Sequence, residues 1–126
     1  IQGLVDAGEP GSIINLSSQY GHVGSSERTL YSAAKHAVEG YTKSLAWEVG
    51  SLGIRVNTVA PSMIETDMTA ERLSQPGVRE VFAQKSALGR IGYPEHVAGA
   101  IVFLASDAAA YITGSCIRVD GGTTAV

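Results

Sequence analysis

Tyr31 and Lys35 stand four residues apart in a stretch of helical periodicity, which puts both on one face of a helix. A phenol with its usual pKa of about 10 is a poor acid–base catalyst at neutral pH. A neighbouring ammonium favours the phenolate and makes proton transfer easier. Such a pair can give a proton to a carbonyl oxygen or take one from an alcohol. The spacing alone says little, because Tyr and Lys fall four apart on many solvated helices. Its setting says more. Ser17-Ser18 close a short apolar run upstream of the helix, and parallel sheets bind ligands beyond the carboxyl ends of their strands. A hydroxyl at Ser18 can bond the same oxygen that Tyr31 protonates. A second run is followed by Pro61-Ser62-Met63-Ile64-Glu65-Thr66-Asp67-Met68, whose backbone groups and hydroxyls can hold a ligand from the other side.

The elements that must position these residues follow from periodicity. Residues 1–8 read as the tail of a helix stopped by Gly8. Gly11 precedes Ser12-Ile13-Ile14-Asn15-Leu16-Ser17, short enough for a buried strand. Residues 18–29 are polar and glycine-rich, a loop. Leu30, Ala33, Ala34, Ala37, Val38, Tyr41, Leu45 and Val49 recur at three and four, predicting a helix over 30–52 with Thr29 as its N-cap. Gly40 lies inside it, at a cost of about 1 kcal/mol relative to Ala, and is expected to admit another backbone. Ile54 to Val59 alternates and is β-branched, a second strand ended by Pro61. Residues 62–91 read as a mobile segment over the site, with one or two short helices. Pro94 opens a helix over 95–106, and Cys116-Ile117-Arg118-Val119 is a third strand leading into an Asp120-Gly121-Gly122 turn. Strands joined by helices predict a parallel sheet with right-handed crossovers and helices on both faces.

Composition narrows the function classes. The 126 residues carry a formal charge of −3, with 44% hydrophobic and 17% charged residues, as in a folded domain rather than a disordered chain. Mild acidity argues against nucleic acid as a partner, and no apolar run reaches the ~18 residues that span a bilayer. A single cysteine, Cys116, excludes an intrachain disulfide and suits a reducing, cytoplasmic compartment. With no paired cysteines or clustered histidines, no metal site is expected. His22, in the loop, is a candidate substrate contact. His36 is expected off the catalytic face and His96 on the surface at a helix start. Cys116 reads as a small core residue, Glu39 and Lys43 as a surface i,i+4 pair, Trp47 as packing or a subunit contact, and Arg72 and Arg79 as solvated.

Taken together, the sequence resembles the classical short-chain dehydrogenases/reductases, most of all their 3-oxoacyl-carrier-protein reductase members. The resemblance rests on GSIINLSS at 11–18, YSAAK at 31–35 thirteen residues after Ser18, IRVN at 54–57, the 61–68 segment, LASD at 104–107, YITG at 111–114 and VDGG at 119–122. It covers nearly the whole chain. It implies the carboxyl-terminal part of a Rossmann-like, doubly wound α/β sheet, with about three strands and three main helices. It implies an NAD(P)-dependent oxidoreductase that interconverts a carbonyl and a secondary alcohol, with NADPH somewhat favoured. Tyr31 would be the acid/base. Lys35 would assist it and bind the nicotinamide ribose, and Ser18 would polarise the substrate carbonyl. The Ile64 backbone and the Thr66 side chain would hold the carboxamide, with Pro61 in the same loop. Ser62 stands where the family usually has glycine, a substitution disfavoured if the backbone there is left-handed. The family's glycine-rich dinucleotide loop, its Asn-Ala-Gly segment and a catalytic Asn are not among residues 1–126, so these residues read as the carboxyl-terminal portion of one domain without its dinucleotide-binding half. The alternatives are a catalytically silent piece that keeps the motif, and an epimerase or dehydratase on the same fold. The resemblance also implies a homodimer or homotetramer built on the 30–52 helix.

Overall fold

The Ile13-Ile14 pair and the Ile54–Val59 alternation do form neighbouring strands, and a helix separates them. In the computed structural model, which describes residues 1–126, the order is α1 (Gln2–Ala7), β1 (Gly11–Leu16), α2 (Thr29–Val49), β2 (Ile54–Pro61), α3 (Asp67–Leu73), α4 (Val78–Gln84), α5 (Pro94–Ala105) and β3 (Cys116–Val119). Single 3₁₀ turns lie at Gln19–Gly21, Gly50–Leu52 and Asp107–Ala109. The sheet runs β1-β2-β3, all parallel. In its register Ile13 faces Val56, and Asn15, Thr58 and Cys116 form one row across the three strands.

Alternation along each strand sends side chains to opposite faces, and each face has its own core. Ile54 and Val56 pack with Leu45, Ala46 and Val49 of α2, joined by Leu4 and Val5 of α1. Val59 packs with Leu104 of α5 and Ala109 on the other face. This is the doubly wound arrangement expected from the sequence, with α2 and α5 as its two covers.

Polar side chains fix what the apolar layers leave loose. Asn57 is fully buried. Its amide nitrogen donates to the Ile112 carbonyl at 2.8 Å and its oxygen accepts from the Ser115 amide at 3.0 Å, which holds the approach to β3. Arg55 donates to the Leu104 and Ser106 carbonyls at 2.8 and 3.3 Å, a cation meeting the negative carboxyl end of α5. At the other end of α5, His96 lies exposed at the helix start as expected, and its Nδ1 accepts the Tyr93 amide at 2.9 Å. Helix α2 begins with Arg28 rather than Thr29 in the cap position, and no side chain caps it. Its first turn is instead tied down by Ser32 Oγ, which donates to the Tyr20 carbonyl at 2.9 Å. Gly40 admits no backbone of this chain, since a Cβ there would meet nothing within 4 Å.

The 62–91 segment contains two short helices, α3 and α4. It is anchored at both ends. Ser62 donates its amide to the Val119 carbonyl at 3.3 Å. The Gly121 carbonyl accepts from the Leu88 amide at 3.1 Å and from Ser86 Oγ at 2.9 Å. Gly121 and Gly122 both have positive φ, and a Cβ on Gly122 would lie 2.8 Å from that of Ala87, so this turn needs glycine for its backbone and its space.

Candidate active site

The carboxyl ends of β1 and β2 open into a cleft of about 1060 Å³. Ser18, Tyr31, Lys35, Pro61, Ile64 and Thr66 all line it. Six positions spread over 49 residues of sequence therefore share one concave surface, and the fold accounts for each.

Ser18 leaves β1 and caps the Gln19–Gly21 turn, its Oγ accepting the Tyr20 amide at 3.2 Å. That turn lies close against α2 because Gly21 has no side chain: a Cβ there would come within 2.8 Å of Ser17 Oγ and 3.1 Å of the Lys35 carbonyl oxygen. Tyr31, in the first turn of α2, is 46% exposed, so its ring projects into the cleft. The Tyr20 ring meets it edge-on with centroids 6.2 Å apart. Lys35 Nζ lies 5.7 Å from the Tyr31 ring centroid and donates to the Leu16 carbonyl at 2.9 Å. Backbone at the end of β1 thus holds the ammonium beside the phenol.

The opposite wall comes from the segment after β2. Ile64 pairs with Gly92 in an isolated parallel bridge whose hydrogen bonds use the Met63 carbonyl and the Glu65 amide, at 2.9 and 3.0 Å. The Ile64 groups therefore face away from that bridge. Its carbonyl accepts from Thr69 Oγ1 at 2.7 Å, while its N–H makes no hydrogen bond within the chain. Thr66 is the N-cap of α3, its hydroxyl 3.2 Å from that of Thr69. Ser62 has no left-handed backbone, since Glu27 is the only non-glycine residue with positive φ. Serine at the family's glycine position is therefore unstrained. A free N–H and a neighbouring hydroxyl on one wall, facing an ammonium on the other, fit the nicotinamide and ribose end of an NAD(P) molecule, which presents an acceptor carbonyl and hydroxyls.

Several side chains lie elsewhere than the sequence suggested. His22 points away from the cleft, its Nε2 3.1 Å from Cys116 Sγ and 3.2 Å from Glu39 Oε1. Glu39 is no surface partner of Lys43. It is 5% exposed, and Thr58 Oγ1 donates to its Oε2 at 2.9 Å. Cys116 is only partly buried, and that burial still pushes its thiol pKa up. Arg79 is not free in solvent: its two terminal nitrogens, Nη1 and Nη2, donate to the two Glu65 carboxylate oxygens, and this hydrogen bonding lowers the Glu65 pKa. Arg72 is exposed as expected, and its guanidinium lies over the Phe82 ring, 5.2 Å from its centroid. Sequence reasoning assigned no site role to α5, yet Val97, Ala98 and Ile101 line the cleft. The signal was there in a helix that is apolar well beyond one stripe.

The sequence matches the family described as Enoyl-(Acyl carrier protein) reductase over residues 2–124. A 3-oxoacyl-[acyl-carrier-protein] reductase FabG of Pseudomonas aeruginosa is 48% identical over 112 residues, which are 89% of this chain and 44% of that protein. The enzyme of the same name from Rickettsia conorii is 51% identical, over 89% of this chain and 46% of its own. The chain thus spans about half the length of the curated relatives it matches. Among solved structures, a putative 2-deoxy-d-gluconate 3-dehydrogenase of Agrobacterium tumefaciens with bound NADP superposes with a TM-score of 0.94 at 38% identity, covering 99% of this chain and 51% of that one. A 4-hydroxyisoleucine dehydrogenase complexed with NADH gives a TM-score of 0.95 at 36% identity, with the same coverage. The chain belongs to the short-chain dehydrogenase/reductase family and corresponds to its carboxyl-terminal portion.

Proposed function

We propose that the protein to which this chain belongs is an NAD(P)-dependent oxidoreductase that interconverts a carbonyl and a secondary alcohol, with a 3-oxoacyl thioester as the leading substrate class. One observation carries the proposal: Ser18, Tyr31 and Lys35 meet Pro61, Ile64 and Thr66 on one cleft at the carboxyl ends of two parallel strands. A bound nicotinamide would supply or accept the hydride. The chain's own residues do the rest. Tyr31 gives a proton to the carbonyl oxygen as it gains negative charge, and Ser18 donates a hydrogen bond to the same oxygen. Lys35, held by the Leu16 carbonyl, supplies positive charge beside the phenol and a donor for ribose hydroxyls. The Ile64 N–H and the Thr66 hydroxyl would hold the carboxamide, with Pro61 in the same loop. Phe82, Val97, Ala98 and Ile101 give the cleft an apolar wall that suits an acyl chain. The relatives named as 3-oxoacyl-[acyl-carrier-protein] reductases, at about half identity, support that substrate class.

The family resemblance also supports a homodimer, or a tetramer containing it, packed through α2. Ala37, Gly40, Tyr41, Ser44 and Trp47 form its exposed face, opposite Thr42, Leu45, Ala46 and Val49. Trp47 is 91% exposed in the single chain, an expensive residue to leave in water and a common interface anchor. One unpaired cysteine fits a cytoplasmic setting, and no helix is long and apolar enough to cross a membrane.

The test is Tyr31→Phe in the active enzyme, which keeps the ring and deletes the proton. Turnover should fall by about 10²–10⁴-fold. Wild-type turnover by the variant would remove Tyr31 from the chemistry.

A further inference from the structure

We propose that His22, Glu39 and Cys116 form a three-ligand site for a zinc-like divalent cation, behind the cleft between α2 and the sheet. The three come from different segments: the turn after β1, the middle of α2 and the first residue of β3. The fold nevertheless places one nitrogen, one oxygen and one sulfur within 4.8 Å of one another. His22 Nε2 is 3.2 Å from Glu39 Oε1 and 3.1 Å from Cys116 Sγ. Ligands about 2.0–2.3 Å from a tetrahedral zinc are held roughly 3.4–3.6 Å apart. The two His22 distances are shorter than that spacing by a few tenths of an ångström, and the Glu39 and Cys116 ligand atoms lie within 4.8 Å of each other.

The hydrogen bonding around Glu39 points the same way. The residue is 5% exposed. Its Oε2 is held by Thr58 Oγ1 at 2.9 Å, but its Oε1, the atom aimed at His22 and Cys116, makes no hydrogen bond. A lone N–H on Nε2 can be directed at Oε1 or at Sγ, not at both. A buried carboxylate oxygen left in this way is costly. A cation accepts lone pairs from all three atoms at once, and Thr58 then serves as the outer partner that orients the carboxylate. The His22 side chain is 26% exposed, so a water can complete the tetrahedron. On binding, the Cys116 thiol loses its proton to solvent and coordinates as thiolate.

The position gives the site a purpose. Glu39 is one helical turn beyond Lys35, and His22 follows the turn capped by Ser18. A cation there would staple that turn to α2 and to β3, fixing the two segments that carry Ser18, Tyr31 and Lys35. This assignment stands on the cluster's own geometry, independent of the reaction proposed above.

The test is direct metal binding by purified protein freed of metal with a chelator. Co²⁺ should bind at one ion per chain with thiolate-to-cobalt charge-transfer absorption, and Zn²⁺ should displace it. Cys116→Ser should abolish the band. His22→Ala should weaken Zn²⁺ by more than the roughly 10–100-fold that outer-shell changes cost. Cys116 is the one cysteine of these 126 residues, so Zn²⁺ should also slow alkylation of the peptide that carries it, followed by mass spectrometry in the unmutated protein, a readout that needs no variant to fold. No band and no protection from alkylation, or Zn²⁺ affinity unchanged in both variants, would overturn the site and leave a His22–Glu39 ion pair beside a thiol.

Discussion

Replacing Gly21 with alanine adds one methyl group at the point where the Ser18 turn meets α2. Its Cβ would stand 2.8 Å from Ser17 Oγ, 3.1 Å from the Lys35 carbonyl oxygen and 3.2 Å from Glu39 Cγ. Favourable carbon contacts lie near 3.5–4.0 Å, so all three neighbours are too close, Ser17 Oγ by about 0.7 Å and the other two by a few tenths of an ångström. None yields easily. The carbonyl belongs to the α2 backbone, Ser17 is a short buried side chain, and Glu39 is packed beneath the helix. The φ of Gly21 is not positive, so crowding is the whole effect, and overpacking of this kind costs about 1–3 kcal/mol. The turn must retreat from α2 and carry Ser18 and Tyr20 with it. A misplacement of about 1 Å can cost 10²-fold in rate, so a shift of a few tenths should lower kcat by roughly 10-fold while leaving cofactor affinity nearly unchanged. Urea unfolding and steady-state kinetics of the active enzyme read the two effects. Gly24→Ala is the control, because a Cβ there meets nothing within 4 Å and φ is not positive. If Gly21→Ala matches that control in both stability and kcat, close packing of the turn on α2 does not position Ser18.

Other consequences are as direct. Lys35→Met keeps the stem and deletes the ammonium, so both nicotinamide-nucleotide affinity and turnover should fall, each by about 10–100-fold, the worth of hydrogen bonds to a charged group; an unchanged binding isotherm refutes the assignment. Gly40→Ala should stabilise the monomer by about 0.5–1 kcal/mol through helix propensity yet weaken the dimer by crowding the α2 face, read by light scattering across a dilution series; a dimer of undiminished affinity places the interface elsewhere. Burial raises the Asp120 pKa, but the Thr124 hydroxyl and the Gly122 and Thr124 amides outweigh it and hold the carboxyl below its ordinary value. A depressed folded pKa gives stability that is present above the unfolded pKa and lost as pH falls through the folded one. Asp120→Asn should therefore flatten the acid limb of the stability curve below about pH 4 and cost about 1–3 kcal/mol at neutral pH, measured by urea unfolding at a series of pH values.

What was legible in the sequence was what local pattern encodes. Tyr31 and Lys35 share a helix face by spacing alone. Ile13-Ile14 and the Ile54–Val59 alternation mark strands because burial on two faces demands apolar residues at successive positions. Glu39 illustrates what was not legible. With Lys43 one turn on, it has the local signature of a surface pair. Its burial is decided by the β2 register, which brings Thr58 beneath it, and by Gly21, which lets His22 approach. The same holds for Cys116, 94 residues from His22. Metal-ligand reasoning from sequence looks for short, repeated spacings, and a cluster assembled across a sheet has none. Arg79 likewise looked solvated because its partner, Glu65, lies 14 residues back across the loop between two short helices.

Asn57 shows how a motif shared with a family of enzymes can serve the site without touching it. It is buried on the α5 face of β2 and spends its amide on the Ile112 carbonyl and the Ser115 amide. The neighbouring Val56 amide donates to Thr113 Oγ1 at 3.0 Å, and its carbonyl accepts the Gly114 amide at 2.7 Å. The IRVN and YITG motifs are thus one structure, a polar seam that locks the approach to β3 against β2. That seam sets the height of β3 in the sheet. From there Val119 holds the Ser62 amide, and the Asp120 turn holds residues 86–88. The wall that presents Ile64 and Thr66 to the cleft is therefore supported from β3, while the wall that presents Ser18, Tyr31 and Lys35 is supported from β1 and α2. The two walls meet at β2, which pairs with β1 on one side and β3 on the other. The distance between Tyr31 and the Ile64–Thr66 wall is consequently a property of strand register, fixed in part by buried hydrogen bonds outside the cleft.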